Sequence, residues 1–134
     1  MNQELVFQAS MFKKQADEIK EKLEFIEKQS SELLDFNKGL GQFMENEESE
    51  SLSALGKGVY VKTSIKEKKL LVNVGQNILV KKNPAEVREI IDNQLKRLNE
   101  AQMHLSSQLE IAETTIREII KQIQKEQKEN KDKK

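Results

Sequence analysis

The chain has 134 residues, of which 36% are hydrophobic, 34% charged and 4% aromatic, and its 23 basic side chains balance its 23 acidic ones. This composition is too poor in apolar residues for a conventional globular core, but it suits long helices that each bury a narrow stripe. The sequence contains no cysteine, which excludes disulfide scaffolds, cysteine metal sites and thiol nucleophiles.

The balanced charge argues against a nucleic-acid partner. The first residues contain no basic segment followed by an apolar run, so no signal peptide is predicted. No apolar stretch is long enough to span a membrane. We therefore expect a soluble cytoplasmic protein that binds neither nucleic acid nor membrane.

Residues 1–44 form the first predicted helix. Apolar side chains recur every seven residues, and a second series follows four residues after each of them, which predicts one arm of a coiled coil. The two series are Leu5, Phe12, Ile19, Ile26, Leu33 and Leu40, and Ala9, Ala16, Leu23, Ser30, Asn37 and Met44. The polar Asn37 is interpreted as a residue that fixes the register of helix pairing.

Some apolar side chains of this helix lie off the coiled-coil seam. One group is near the start (Val6, Phe7, Met11) and one is near the end (Leu34, Phe36, Phe43). We expect the second group to pack beneath the following β segment or against a neighbouring subunit. The first group has no predicted partner in the chain, and a frayed terminus with exposed apolar side chains is the alternative.

An acidic segment, residues 45–50, is predicted to be a solvated linker, and residues 51–83 are predicted to form two β-hairpins. Strands are expected at 52–55, 59–65, 70–74 and 78–82, because β-branched residues alternate with polar ones there. Turns are expected at 56–58 and 75–77, where glycine permits unusual backbone angles. Neither glycine segment matches a phosphate-binding fingerprint.

Two isolated hairpins are marginally stable in water, and their strand edges tend to pair with other strands. The hairpins are therefore predicted to assemble with those of other chains into a sheet or barrel. The predicted assembly residues are Leu52, Leu55, Val59, Val61, Ile65, Leu70, Val72, Val74, Ile78 and Val80.

Residues 84–127 form the second predicted helix. Asn83 can cap it, Pro84 suits its first position and Glu86 follows three residues after the cap. The heptad series are Ile91, Leu98, Leu105, Ala112 and Ile119, and Leu95, Gln102, Leu109, Ile116 and Ile123. The two helices are thus predicted to pair antiparallel, and residues 128–134 to form a polar, disordered tail.

The sequence predicts no enzyme. His104 is the sole histidine and falls at a solvent-facing heptad position. A two-helix coiled coil buries a seam rather than a pocket, so no acid–base pair is placed for catalysis. We predict no catalytic residue, metal or cofactor.

Residues 50–65 and 70–87 resemble the α-type subunit of prefoldin. In the family's pattern, leucine, two glycines and tyrosine are spaced along the first hairpin, and valine, glycine, a second valine and lysine along the second. The matching residues are Leu52, Leu55, Gly56, Gly58, Tyr60, Val61, Val72, Val74, Gly75, Val80 and Lys82. The sequence departs from the pattern where Ser53-Ala54 replaces Val-Pro and where Asn77 replaces the second hairpin glycine.

The resemblance implies an ATP-independent chaperone, a holdase, that delivers non-native proteins to a group II chaperonin. Two α-type and four β-type subunits would join their hairpins in a double β-barrel, giving a hexamer whose coiled-coil tips hold clients. The client-binding residues would be Leu5, Val6, Phe7, Met11, Phe12, Ile116, Ile119, Ile120 and Ile123. The alternatives are an α-like paralogue or coiled-coil scaffold that forms filaments, and nucleic-acid binding through the lysine-rich tail.

Overall fold

The computed structural model describes residues 3–47 and 50–132, and places four strands between two helices. Helix α1 spans Gln3–Glu45 and helix α2 spans Pro84–Asp132. The strands are β1 (Glu50–Gly56), β2 (Val59–Ser64), β3 (Leu70–Asn73) and β4 (Leu79–Lys82). Strands β1 and β2 form one antiparallel hairpin and β3 and β4 another. The predicted fold class, two long helices with two hairpins between them, is confirmed.

Three parts of the predicted segments lie outside the described residues. They are residues 1–2 of the first helix, 48–49 of the acidic linker and 133–134 of the tail. Neither helix has, within the described residues, a stretch apolar and long enough to cross a membrane.

The chain divides into two compact units. One comprises residues 1–30 and 96–134 and is called the terminal unit, because it contains both ends of the chain. The other comprises residues 31–95 and is called the hairpin unit.

In the terminal unit, α1 and α2 run antiparallel. Lys20 forms an ion pair with Glu113 over 3.8 Å, and Ile26 and Leu105 line one groove. The seam buries Ala16, Ile26, Ala112 and Ile119. The first predicted helix has two seven-residue series. Their residues are buried or half-buried up to Leu40, whereas Met44 is exposed.

The second predicted series contains one error. Gln102 is exposed, and its neighbour Ala101 is half-buried. Burial of an amide without hydrogen-bond partners costs free energy, whereas burial of a methyl group does not. The seven-residue count alone therefore assigned Gln102 to the seam, although the neighbouring Ala101 is the residue that is covered.

In the hairpin unit, a small apolar core joins the helices to the second hairpin. Its buried residues are Leu40 on α1 and Val87 and Ile91 on α2. The side chains packed around them are Leu33, Phe43, Leu70, Val72 and Leu95. The expectation that the late off-seam group of α1 packs beneath the β segment thus holds for Phe43, while Leu34 and Phe36 are exposed.

The start of α2 is capped as its sequence predicts. Oδ1 of Asn83 accepts a hydrogen bond from the backbone N–H of Glu86 at 2.8 Å, and its Nδ2 donates to Oε1 of Glu86 at 3.0 Å. This reciprocal pair satisfies an amide that the first helical turn leaves unbonded. The helix then continues to Asp132, past the expected boundary at residue 127, because lysine, glutamate and glutamine are good helix formers.

Candidate interaction surfaces

The first hairpin has no core of its own. The strands pair from Glu50 opposite Ser64 to Gly56 opposite Val59. Lys57 and Gly58 form the turn with φ of 51° and 78°, which is typical of the two-residue turns that match strand twist. Every residue of β1 and β2 is exposed. An isolated two-stranded hairpin is marginally stable in water, and nothing in the described part of this chain covers the first hairpin.

Both faces of the first hairpin carry apolar side chains. Leu52 lies opposite Lys62 and Ala54 opposite Tyr60, and successive pairs of this set share one face of the hairpin. Val61 belongs to the other face. Tyr60 is 63% exposed, although an aromatic ring of its size is strongly stabilised by burial. The hairpin is therefore suited to contacts on two sides.

The second hairpin differs because one of its faces is already covered. Leu70 and Val72 pack onto the core of the hairpin unit, whereas Leu71 on the opposite face of β3 is exposed. Leu79 on β4 is exposed as well. The two-residue period of a strand accounts for this division.

The ten residues predicted to mediate assembly therefore fall into two groups. Ile65, Leu70 and Val72 are half-buried, and the last two stabilise the chain's own core. Leu70 and Val72 thus have a role within the chain's own core, and the prediction that they also serve assembly stays a prediction. The exposed members are Leu52, Leu55, Val59, Val61, Val74, Ile78 and Val80.

Three large apolar residues that are exposed on the hairpins are not among the predicted ten. They are Tyr60, Leu71 and Leu79. For Leu71 the signal was present in the sequence: it lies between Leu70 and Val72, so alternation assigns it to the opposite face of the strand.

Polar contacts fix the loop between the two hairpins. Nζ of Lys68 donates to the carbonyl oxygen of Met44 at 2.9 Å and also to that of Asn46. A lysine at this position satisfies carbonyls that the end of α1 leaves unbonded and complements the helix dipole. Glu67 forms an ion pair with Lys81 on β4, and the hydrogen bond from Lys81 holds the pKa of the Glu67 carboxyl below its ordinary value.

The nine residues predicted to bind clients have three different environments. Ile119 is 7% exposed and belongs to the buried seam of the terminal unit. The half-buried members are Leu5, Phe12, Ile116 and Ile123. The exposed members are Val6, Phe7, Met11 and Ile120. The paired helices cover the Ile119 side chain, so of the nine residues it has the least surface to offer a client, and its assignment stays a prediction.

The terminal unit also exposes apolar side chains farther from its chain ends. Phe25, Met103 and Ile111 are each more than 60% exposed. Scattered single apolar residues are common on protein surfaces and need no special explanation. They serve as an internal comparison for the group formed by Val6, Phe7, Met11 and Ile120.

Comparisons with known proteins agree on one family. The family model described as prefoldin subunit matches residues 7–129. Prefoldin subunit alpha of Archaeoglobus fulgidus is 34% identical over 62 residues, which cover 46% of this chain and 45% of that relative. That match therefore spans less than half of the relative's length.

A solved structure is similar in fold. It is the filamentous PFD from Methanocaldococcus jannaschii, determined by cryo-electron microscopy, with a TM-score of 0.72 and 19% sequence identity. The similarity covers 86% of this chain and 97% of that one. At this level of identity the match establishes the shared fold alone.

Proposed function

The chain belongs to the prefoldin family of chaperone subunits, and on that premise we propose that it is an α-type subunit of an ATP-independent holdase. The complex captures non-native proteins in the cytoplasm and delivers them to a group II chaperonin. It contains two α-type and four β-type subunits. The observation that carries the proposal is the group of exposed apolar side chains near the chain ends, Val6, Phe7, Met11 and Ile120.

The hairpins support the assembly part of the proposal. The first hairpin exposes both of its faces, and the second exposes the face that bears Leu71. Covering such surfaces with strands of other subunits stabilises the assembly by about 25 cal/mol for each Å² of apolar area buried. The presence of two hairpins rather than one, together with the similarity to an archaeal alpha subunit, favours the α type.

The terminal group supports the client-binding part. Phe7 and Met11 are one helical turn apart on α1 and are 64% and 55% exposed, so they present a continuous apolar strip on one face of the helix. Flexible methionine and aromatic side chains adapt to many partner shapes. Several weak contacts from different subunits would act together on one unfolded chain and raise the overall affinity.

A matched pair of triple variants tests this assignment. Phe7→Ser, Met11→Ser and Ile120→Ser remove apolar area near the chain ends, while Phe25→Ser, Met103→Ser and Ile111→Ser remove comparable exposed area elsewhere in the terminal unit. Each variant is assembled with a β-type prefoldin subunit, and the aggregation of a denatured client is followed by light scattering. We expect the first variant to lose protection and the second to retain it. Equal protection by the two variants would contradict the assignment of client binding to the apolar residues near the chain ends.

Filament formation is the second candidate function, motivated by the structural similarity to a filamentous PFD. In this alternative the hairpins polymerise and the helices act as spacers. Mass measurement of the purified chain, alone and with a β-type subunit, separates the candidates. A closed hexamer that requires the β-type subunit supports the chaperone, and open-ended filaments of this chain alone support the scaffold.

A further inference from the structure

The sulfur atoms of this chain all belong to methionine. The sequence contains four methionines and no cysteine, so no thiol competes with them for an oxidant. Among the methionines that the structure describes, Met103 is 65% exposed, Met11 55% and Met44 36%. An oxidant must reach the thioether sulfur in order to react with it, so exposure predicts that Met103 and Met11 are oxidised most readily.

Met11 and Met103 are matched in exposure but differ in their surroundings. Met11 follows Phe7 by one turn of α1 and belongs to the exposed apolar group near the chain ends. Met103 lies on α2, among the apolar side chains that are exposed farther from the chain ends. Neither side chain is part of the buried seam, so a change at either sulfur leaves the packing of the two helices intact.

We propose that Met11 is a site of reversible oxidation, and that its conversion to methionine sulfoxide by a peroxide weakens the capture of non-native protein. The inference rests on the proposed function, which assigns client contact to the apolar group near the chain ends. The sulfur lone pair forms a bond to one peroxide oxygen while the O–O bond breaks, and the departing hydroxide takes up the remaining proton and leaves as water. The thioether gives up an electron pair and is oxidised, and the peroxide accepts that pair and is reduced.

The sulfoxide weakens client contact because its oxygen is hydrated in water. An apolar client segment that covers this oxygen removes its hydrogen bonds to water and supplies none in return. The oxygen also stands on the same helix face as Phe7, so it interrupts the apolar strip that the two side chains share. Methionine sulfoxide is reduced back to the thioether by dedicated reductases, which makes the change reversible.

Oxidation of the chain before assembly tests the inference. The full chain is treated with hydrogen peroxide, the peroxide is removed, and the chain is assembled with an untreated β-type prefoldin subunit, whose own methionines stay reduced. Peptide mass spectrometry measures the gain of oxygen at each methionine, and light scattering follows the aggregation of a denatured client. We expect half-protection to require about threefold more of the oxidised complex than of the untreated one, because a hydrated group is then covered by apolar surface. Methionine sulfoxide reductases for both sulfoxide epimers should restore protection.

Two leucine variants identify the methionine that is responsible. Leucine has nearly the volume of methionine and no sulfur, so Met11→Leu keeps an apolar side chain that peroxide does not oxidise. After peroxide treatment, the Met11→Leu complex should protect as the untreated wild-type complex does. The treated Met103→Leu complex should lose as much protection as the treated wild-type complex. Loss of protection by treated Met11→Leu would assign the effect to another methionine and overturn the inference.

Two glutamine variants test the same point without an oxidant. Met11→Gln places a hydrated amide near the chain ends, and Met103→Gln places one at the comparably exposed position on α2. Glutamine is a good helix former, so both chains should fold and assemble, which circular dichroism and sedimentation verify. We expect Met11→Gln to raise the half-protecting concentration about threefold and Met103→Gln to leave it unchanged. Equal protection by the two variants would overturn the inference.

The untreated wild-type complex separates the premise from the inference. If it does not protect the client, the proposed function fails and the inference fails with it. If it protects, and the complex whose Met11 is shown by mass spectrometry to be oxidised protects equally well, then only the inference about oxidation fails.

Discussion

Arg88 on α2 donates a hydrogen bond from Nε to Oδ1 of Asn37 on α1, over 3.3 Å, and so joins the two helices within the hairpin unit. Asn37 occupies a seam position that an apolar residue would normally fill, and it is half-buried. Its amide would lose a hydrogen-bond partner if α2 shifted along α1. A polar seam residue with one partner favours a single register, although it contributes less burial than leucine would.

Removing either partner of this hydrogen bond should destabilise the chain. We expect Asn37→Ala and Arg88→Ala each to lower the free energy of unfolding by about 1 kcal/mol, with a coupling of about 0.5 kcal/mol between them. Urea denaturation of the two single variants and the double variant measures that coupling. Arg88→Lys keeps the charge but lacks Nε, so it should behave like Arg88→Ala; full stability of this variant would assign the effect to charge alone.

The two glycines of α1 should respond to alanine to different degrees. A Cβ at Gly39 would meet open space, while one at Gly41 would lie 3.0 Å from Nη2 of Arg88. We expect Gly39→Ala to stabilise the helix by about 1 kcal/mol. We expect Gly41→Ala to stabilise the helix by a smaller amount, because the Arg88 guanidinium must move away from its place beside Asn37. Thermal unfolding measures both effects. In an Arg88→Ala background, Gly41→Ala should stabilise the helix as much as Gly39→Ala does. If it still stabilises less, a group other than Arg88 obstructs the new methyl group.

The turn of the second hairpin contains an unfavourable residue. Gln76 and Asn77 have φ of 51° and 61°, a region that asparagine tolerates better than glutamine. Gln76→Gly is expected to raise the free energy of unfolding by about 0.5–1 kcal/mol, and Asn77→Gly by less. Gly75→Ala should instead destabilise the turn, since Gly75 has φ of 117°. Amide hydrogen exchange in β3 and β4 reports all three, and an unchanged rate in Gln76→Gly would argue against strain at this residue.

The ion pair between Glu67 and Lys81 predicts a pH dependence with a definite sign. The hydrogen bond from Lys81 is the largest cause of the lowered pKa of Glu67, and Lys69 contributes least. A carboxyl whose pKa is lowered on folding stabilises the fold above its unfolded pKa, and that contribution disappears as the pH falls through its folded pKa. NMR titration should show the pKa of Glu67 rising in Lys81→Ala and changing less in Lys69→Ala. Equal shifts in the two variants would mean that general positive charge, rather than this contact, lowers the pKa.

Much of the fold could be predicted from sequence because its signals are periodic and local. The seven-residue repeat identified the seam, and the Asn83–Glu86 pair identified the start of α2. Periodicity alone could not choose between Ala101 and Gln102, because adjacent residues at the edge of a helical stripe differ by only a partial turn. That choice depends on the cost of desolvating the amide, which spacing does not express.

The candidate surfaces were harder to predict, since exposure depends on what the rest of the chain covers. Leu70 and Leu71 are neighbours of the same residue type, yet one packs into the chain's own core and the other is exposed. Alternation places them on opposite faces, but only the packing of helices against β3 decides which face remains open. The position of Lys68 against the carbonyls at the end of α1 depends on tertiary structure in the same way.

Ile119 and Ile120 provide the sharpest test of the boundary between seam and client surface. They are adjacent and identical in type, but Ile119 is 7% exposed and Ile120 is 43% exposed. We expect Ile119→Ala to lower the free energy of unfolding by about 2 kcal/mol through the cavity that it leaves. Ile120→Ala should change it by less than about 0.5 kcal/mol. In the client aggregation assay, Ile120→Ala should lower protection at temperatures where both variants are folded, because it removes accessible apolar surface. Ile119→Ala should then protect as the wild-type chain does, and the reverse pattern would place Ile119 rather than Ile120 in contact with clients.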